Sequence, residues 1–387
     1  MQKRGQRIMA EFDATKFAQD CIKAINEKIK NLTHMNIIVA GKTGVGKSTL
    51  INAVFRENLV ETGIGKPVTQ HMRCYSKKDY PLSIYDTRGF ELGKNAQEEV
   101  KHEVLNAIQE GLAARDVNKA IHCIWYCINA TSNRIEEEEL KWLRSFTDAN
   151  KTTQVPVIIV LTQAISQKNA LAMKNVILDE NIDVAAVVPV LALDYEISDE
   201  YTVKAYGLDT LIKIMSQVLP DELQDTLQNV QKASLEEKVK HSQAIVATSV
   251  AAAFGEGFAP IPFSDAALLV PTQMGMIAGI TVCFGLDINT SILTGFVSAT
   301  LGAGGATILG KTVVSNILKL IPGVGTAVGG AISGATAGLI TTALGEAYIL
   351  LMTQIFKGEM SASDIGTEKG KEAMAKLFKE QLKRKRK

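Results

Sequence analysis

Charge of either sign is scarce in a long stretch of the C-terminal half of this chain. From Ser242 to Phe356 there are six acidic or basic residues: Glu256, Asp265, Asp287, Lys311, Lys319 and Glu346. The molecule as a whole has a net charge of +1, which excludes a strong bias toward nucleic acid. Cysteine is also scarce. The five are scattered, and no paired C-x-x-C occurs, so no cysteine-based metal pattern is present. Cys123 and Cys127 fall on one expected strand, and all five thiols read as small buried hydrophobes in a reduced setting. The start of the chain, polar and basic from Met1 to Arg7, lacks the apolar core of a secretory signal, with Met9 as an alternative start. The expected location is cytoplasmic, either free or held peripherally or integrally at the cytoplasmic face of a membrane.

What is present is concentrated between residues 35 and 90. Gly41-Lys42-Thr43-Gly44-Val45-Gly46-Lys47-Ser48 fits G-x-x-x-x-G-K-[ST], a loop whose backbone N–H groups cradle phosphate oxygens. Lys47 can reach the β- and γ-phosphates, and Ser48 can ligate Mg2+. The run Met35 to Ala40 reads as a buried strand before the loop. Ser48 to Phe55 reads as the opening of a helix whose positive end faces the phosphates. Thr43, Gly44, Val45, Gly46, Lys47, Ser48 and Thr49 are therefore the candidate phosphate-binding residues.

A second pattern follows. Pro81 to Asp86 reads as a strand ending in an acid, and Asp86-Thr87-Arg88-Gly89 is D-x-x-G. In that element Asp86 holds Mg2+ through water and the Gly89 amide senses the γ-phosphate. Between the two motifs lies Gly65 to Gln70, where Thr69 is placed to complete the Mg2+ shell when a triphosphate binds.

With these motifs the chain resembles the Era-like GTPases of the translation-factor class. It resembles in particular bacterial GTPases carrying a C-terminal hydrophobic helical domain of unknown function, the YcjF-type domain. The first resemblance covers roughly residues 34–220. The second covers roughly 238–358, and rests on the hydrophobic pattern and on Phe258-Ala259-Pro260-Ile261-Pro262-Phe263-Ser264-Asp265. It implies an α/β fold: a doubly wound P-loop GTPase domain with an N-terminal helix and an all-α hydrophobic C-terminal domain.

The domain organisation expected is a helix over 9–33, a G domain over 34–220, a charged helical connector over 221–240, the hydrophobic domain over 241–358 and a basic tail over 359–387. Phe12, Phe17, Ile22, Ile25 and Ile29 recur at helical intervals, and that helix is expected to brace the G domain. Strands are expected at 35–40, 72–76, 81–86, 119–128, 155–162 and 186–192. Helices are expected at 47–56, 95–115, 134–148, 166–178 and 207–219. The alternation argues for a doubly wound sheet with ligands at the strand C-termini.

Against the family pattern the chain departs in two places. Guanine is normally read by [NT]-K-x-D after a buried strand, and here the run is Thr162-Gln163-Ala164-Ile165. Thr162 matches, Gln163 replaces the lysine that covers the base, and Ile165 stands where an aspartate would accept from guanine. A charged acceptor is worth roughly 1.5–3 kcal/mol, so adenine or relaxed recognition stays open beside GTP. Ala192, in Val190-Leu191-Ala192, resembles the alanine whose amide contacts guanine O6. Hydrolysis is altered as well. Phe90 follows D-x-x-G where a glutamine would orient water, and Gly44 replaces the asparagine that holds K+ in some relatives. The resemblance thus implies slow turnover, with Lys47, Thr69 and the Gly89 amide around the γ-phosphate. Arg88 is a candidate donor of the missing charge, in cis or from a second G domain, or else a partner in a structural salt bridge.

The uncharged runs 266–286, 288–310 and 320–345 exceed or approach the span of about 20 apolar residues that crosses a bilayer. They are rich in Gly, Ala, Ser and Thr, and Gly330, Gly334 and Gly338 give a small-xxx-small pattern. Membrane hairpins and a tightly packed soluble bundle both remain open. The tail Lys383-Arg384-Lys385-Arg386-Lys387 favours anionic headgroups by about 1 kcal/mol per charge near the surface. The expected cofactor is Mg2+. The expected partners are GTP/GDP, an anionic membrane and a second G domain, with no nucleic acid.

Overall fold

The computed structural model describes residues 14–59, 64–69, 72–87, 94–132, 134–256, 266–301, 334–361 and scattered positions from 364 to 381. Arg88, Gly89, Phe90, the segment 258–265, Gly330 and the tail 383–387 lie outside the described residues. The chain divides into two compact units, 32–237 and 1–31 with 238–387.

The first unit is built on a seven-stranded sheet. The strands are β1 (Met35–Gly41), β2 (Ile64–Pro67), β3 (Met72–Ser76), β4 (Leu82–Thr87), β5 (Cys123–Asn129), β6 (Val157–Thr162) and β7 (Ala186–Pro189). Their order is β2-β3-β4-β1-β5-β6-β7. β4, β1, β5, β6 and β7 run parallel, while β3 pairs antiparallel with both β2 and β4. The parallel strands are near-continuous apolar runs, such as Val157-Ile158-Ile159-Val160-Leu161, because both of their faces are covered.

Two cores result. On one face Val39, Ile84, Trp125 and Val160 pack with α2 (Lys47–Val54) through Leu50, Ile51 and Val54, and with α6 (Leu208–Val218) through Leu211, Ile212 and Met215. On the other, Ile38, Tyr126 and Ile159 pack with α3 (Lys94–Ala113), α4 (Glu137–Asn150) and α5 (Gln167–Asp179). This is the doubly wound arrangement, in which loops at the strand C-termini gather at one edge. After β7 the chain also forms an antiparallel hairpin, β8 (Tyr195–Ser198) and β9 (Tyr201–Val203).

The stretch 221–237 differs from the connector expected there. Helix α7 (Gln224–Val230) places Leu227 and Val230, with Leu223 before it, in the same core as Phe55 and Trp125. Phe55 and Gln231 form an antiparallel bridge, and the Tyr80 hydroxyl donates to the Val230 carbonyl at 3.0 Å. Apolar side chains at i, i+4 and i+7 outweigh the charges between them, so this stretch completes the G domain.

In the second unit, α1 (Ala14–Lys30) buries Phe17, Ala18, Cys21 and Ile25 and packs against α9 (Ala266–Phe284) and α10 (Thr290–Leu301). The expected brace on the G domain is therefore corrected: the helix belongs with the C-terminal unit. Its buried stripe runs through Cys21, whereas Ile29 is exposed. Helix α8 (Leu235–Glu256), from Lys238 on, and α11 (Gly334–Phe356) also belong to this unit. Close approach is permitted by Gly345, where a Cβ would come within 2.5 Å of Val246 and 2.9 Å of the Met276 sulfur. Buried polar groups here are paired in places: Thr281 and Tyr348 hydroxyls lie 2.7 Å apart, and the Lys238 ammonium donates to the Cys283 carbonyl at 2.8 Å. Among the described residues one helix segment, Ala337–Phe356, is long and apolar enough to cross a membrane, and half of it is buried.

Candidate functional site

The loop between β1 and α2 has the backbone that its glycines require. Gly41, Gly44 and Gly46 have φ of 141°, 75° and 96°, a region that side chains disfavour. At Gly41 a Cβ would also overlap the Cys127 carbonyl oxygen, so the loop leaves the sheet tight against β5. Gly46 caps α2 without a side-chain bond, and the first turn of the helix has no acid. The positive end of α2 and its free N–H groups thus face the loop.

Lys47 is buried, and its ammonium donates to the carbonyls of Gly41 at 2.9 Å and Lys42 at 3.1 Å. The side chain folds back along the loop, where a phosphate oxygen can replace a carbonyl. Thr43, Ser48 and Thr49 are exposed at the same place. Lys42 anchors the loop from outside, through Glu136 at 3.0 Å and Glu139 at 3.3 Å at the start of α4.

Asp86, the penultimate residue of β4, lies on the face that α2 covers. Its Oδ1 is buried without a hydrogen-bond partner among the described residues, as is the neighbouring Thr87 hydroxyl. Burial pushes the Asp86 carboxyl above the usual range, and the charges of Lys47 and Arg73 oppose that push. An orphaned carboxylate oxygen and the exposed Ser48 hydroxyl are hard oxygen donors of the kind that suit Mg2+.

Thr69 is not brought to this group. Its hydroxyl donates to Glu103 Oε2 on α3 and accepts from the Met72 amide at 3.0 Å.

On the base side, the Thr162 hydroxyl lies 2.5 Å from the Val45 carbonyl and 3.1 Å from that of Ile128. Gln163 adopts φ of 51°, and its Nε2 donates to the Gly44 carbonyl at 3.0 Å. Thr162 and Gln163 therefore grip the phosphate loop directly. Ala192 is half-buried next to Leu191, whose backbone pairs with Tyr206. The Tyr206 hydroxyl donates to the Ala164 carbonyl at 2.6 Å and so joins the two base-side loops. Tyr206, Glu103 and Arg73 were not legible as site residues. None belongs to a motif, and each acts through a partner distant in sequence.

Residues 36–163 match the family model of the 50S ribosome-binding GTPase, and residues 214–387 match a domain of unknown function (DUF697). Septin-14 of Mus musculus is 24% identical over 185 residues, covering 42% of this chain and 42% of the septin. Septin-14 of Homo sapiens is 24% identical over 215 residues, covering 50% of this chain and 49% of the septin. The chain thus spans less than half the length of these two relatives. Among solved structures, a probable GTP-binding protein engB shares 18% identity at a TM-score of 0.29, over 47% of this chain and 97% of that one. Toc33 from Arabidopsis thaliana, in complex with GDP and Mg2+, shares 18% at 0.32, over 57% and 96%. Cdc11 from Saccharomyces cerevisiae shares 16% at 0.31, over 50% and 95%. Loop, acid and sheet order agree with the first of these matches: this chain joins a P-loop GTPase domain, matching the 50S ribosome-binding GTPase model, to a C-terminal domain that matches DUF697.

Proposed function

We propose that this protein is a GTP-driven switch with slow intrinsic hydrolysis, Era-like in its G domain, whose nucleotide state is read by the C-terminal helical domain at the cytoplasmic face of a membrane. The observation that carries the reading is the pairing of the Lys47 ammonium with the loop carbonyls of Gly41 and Lys42 beside the orphaned Asp86 oxygen. A cation held over a loop of N–H groups, next to an unpaired acid, suits a phosphate chain with a divalent metal.

In this reading Thr43, Gly44, Val45, Gly46, Lys47, Ser48 and Thr49 hold the phosphates. Ser48 and Asp86 hold Mg2+, which when bound neutralises charge developing on the phosphates. Thr69, whose hydroxyl is bonded to Glu103, would complete the Mg2+ shell of a bound triphosphate. Thr162, Gln163 and Ala192 line the base. Gly89 follows the γ-phosphate through its amide, and Arg88 supplies charge. Turnover is slow because neither Phe90 nor Gly44 can orient water or hold K+.

A second reading, dynamin-like assembly through paired G domains, is favoured by one observation. The β8–β9 hairpin exposes Tyr195, Ile197 and Tyr201, and Leu193, between it and Ala192, is exposed as well. Nucleotide-dependent dimerisation, followed by light scattering, separates it from a monomeric switch.

The test of the main reading is equilibrium binding of GTP, GDP and ATP to the purified chain with and without Mg2+. Tight, Mg2+-dependent binding of guanine nucleotides is expected. Lys47→Ala should weaken it strongly, because a cation opposite phosphate is lost. Unchanged affinity in that variant would remove the site assignment.

A further inference from the structure

Arg73 stands directly opposite Asp86 in the antiparallel β3–β4 ladder. Directly opposed residues send their side chains to the same face of a sheet. That face is the one covered by α2: Leu82 and Ile84, alternating with Asp86, pack with Val39, Leu50 and Ile51. Met72, the neighbour of Arg73, points into the other core. The guanidinium is therefore on the phosphate-loop side, and its residue is exposed. It is close enough to act on the Asp86 charge together with Lys47. Among the described residues no carboxylate forms an ion pair with it.

Lys47 and Arg73 thus both lend positive charge to Asp86, Arg73 from directly across the ladder. Lys47 lies within the loop and reaches the β-phosphate that a diphosphate and a triphosphate share, as well as the γ-phosphate. Arg73 approaches from the opposite side, four residues after Thr69, over the acid that D-x-x-G places beside a terminal phosphate. We propose that Arg73 is the γ-phosphate-sensing cation of this site: it rests beside Asp86 without nucleotide and binds the terminal phosphate of a bound triphosphate. The inference rests on the GTP-binding reading and adds a residue to it. A guanidinium fits this task because its planar fork can bind a phosphate through two parallel N–H groups.

The test compares GDP and a non-hydrolysable GTP analogue, each with Mg2+, on the full chain and on Arg73→Ala, Arg73→Gln and Arg73→Lys. Loss of a charge-assisted contact predicts a roughly ten- to hundredfold loss of affinity for the triphosphate. Diphosphate affinity and the nucleotide-free melting temperature should stay near wild type. Arg73→Lys should recover part of the loss, and Arg73→Gln little. An unchanged ratio of triphosphate to diphosphate affinity, or an equal loss of both, overturns the assignment of Arg73 alone. Wild-type chain that binds neither nucleotide overturns the GTP reading and this one with it.

Discussion

The Thr162 hydroxyl meets the Val45 carbonyl at 2.5 Å, across 117 residues of sequence, so the end of β6 fixes the middle of the phosphate loop. The same hydroxyl is 3.1 Å from the Ile128 carbonyl. A residue that resembles part of a base-reading motif thus also sets the shape of the phosphate site. Thr162→Val keeps the volume and removes the donor, leaving buried carbonyls short of a partner. It should destabilise the fold by about 1–3 kcal/mol and weaken nucleotide binding, while Thr162→Ser should restore most of both. Urea midpoints with parallel binding titrations measure the two effects. A Thr162→Val chain as stable as wild type would show that the contact carries nothing.

Base selection turns on Ile165, which is half-buried after a strand that ends at Thr162. Guanine should be preferred over adenine, but less strongly than where an aspartate accepts from the base. Ile165→Asp should sharpen the preference in competition binding. ATP affinity equal to or above GTP affinity in the wild type would replace the guanine assignment by an adenine one.

Most of the central sheet was legible because buried parallel strands are apolar runs, and the phosphate loop because its glycines are needed where φ is positive. The short edge strand β2 was not legible. Ile64-Gly65-Lys66-Pro67 contains both a glycine and a proline, and only pairing with β3 makes it a strand. The hairpin was missed since its residues are exposed, so burial imposes no alternation on them. Periodicity identified α1 as amphipathic, but a stripe of apolar residues does not name the surface that covers it. Charge around Leu223, Leu227 and Val230 hid a core segment for the same reason: composition averages over faces. The segment Arg88 to Phe90 and the basic tail lie outside the described residues.

Stability should fall in mild acid through His122. Asn36 donates its amide to His122 Nδ1 at 3.0 Å, and Nε2 donates to the Val117 carbonyl at 2.9 Å. The ring is therefore neutral with one acceptor nitrogen, and a second proton would face an N–H. Burial, joined by the nearby His34, pulls its pKa below the ordinary value, and the Val117 carbonyl opposes this only in part. A histidine with a depressed folded pKa takes up protons on unfolding, so its contribution is full above the unfolded pKa of about 6.5 and is lost as pH falls below it. Melting at pH 7.5 and 5.5 should show a loss in the wild type that is smaller in His122→Gln. Equal losses in both would acquit the ring.

Membrane association should reside in residues 242–356, with the basic tail adding an electrostatic contribution. Ala337–Phe356 has a mean hydropathy of 1.5 and the length to span a bilayer, yet half of it is buried against the rest of its unit. Gly345 lets α11 approach Val246 and Met276 closely, and the Thr281–Tyr348 pair satisfies buried hydroxyls. Such contacts serve a compact bundle in water as well as a helical hairpin in lipid, so packing alone does not choose between them. The choice lies in what drives binding. Apolar insertion survives salt, whereas attraction of Lys383 to Lys387 to anionic headgroups is screened within about 3 Å at 1 M. The purified chain should float with liposomes of mixed neutral and anionic lipid, and stay with them after a 1 M salt wash of roughly that screening strength. Removing residues 383–387 should lower recovery without abolishing it. Release by salt would reduce the association to the tail, and a full-length chain that is monodisperse in plain buffer and never floats would leave a nucleotide switch with a soluble helical domain.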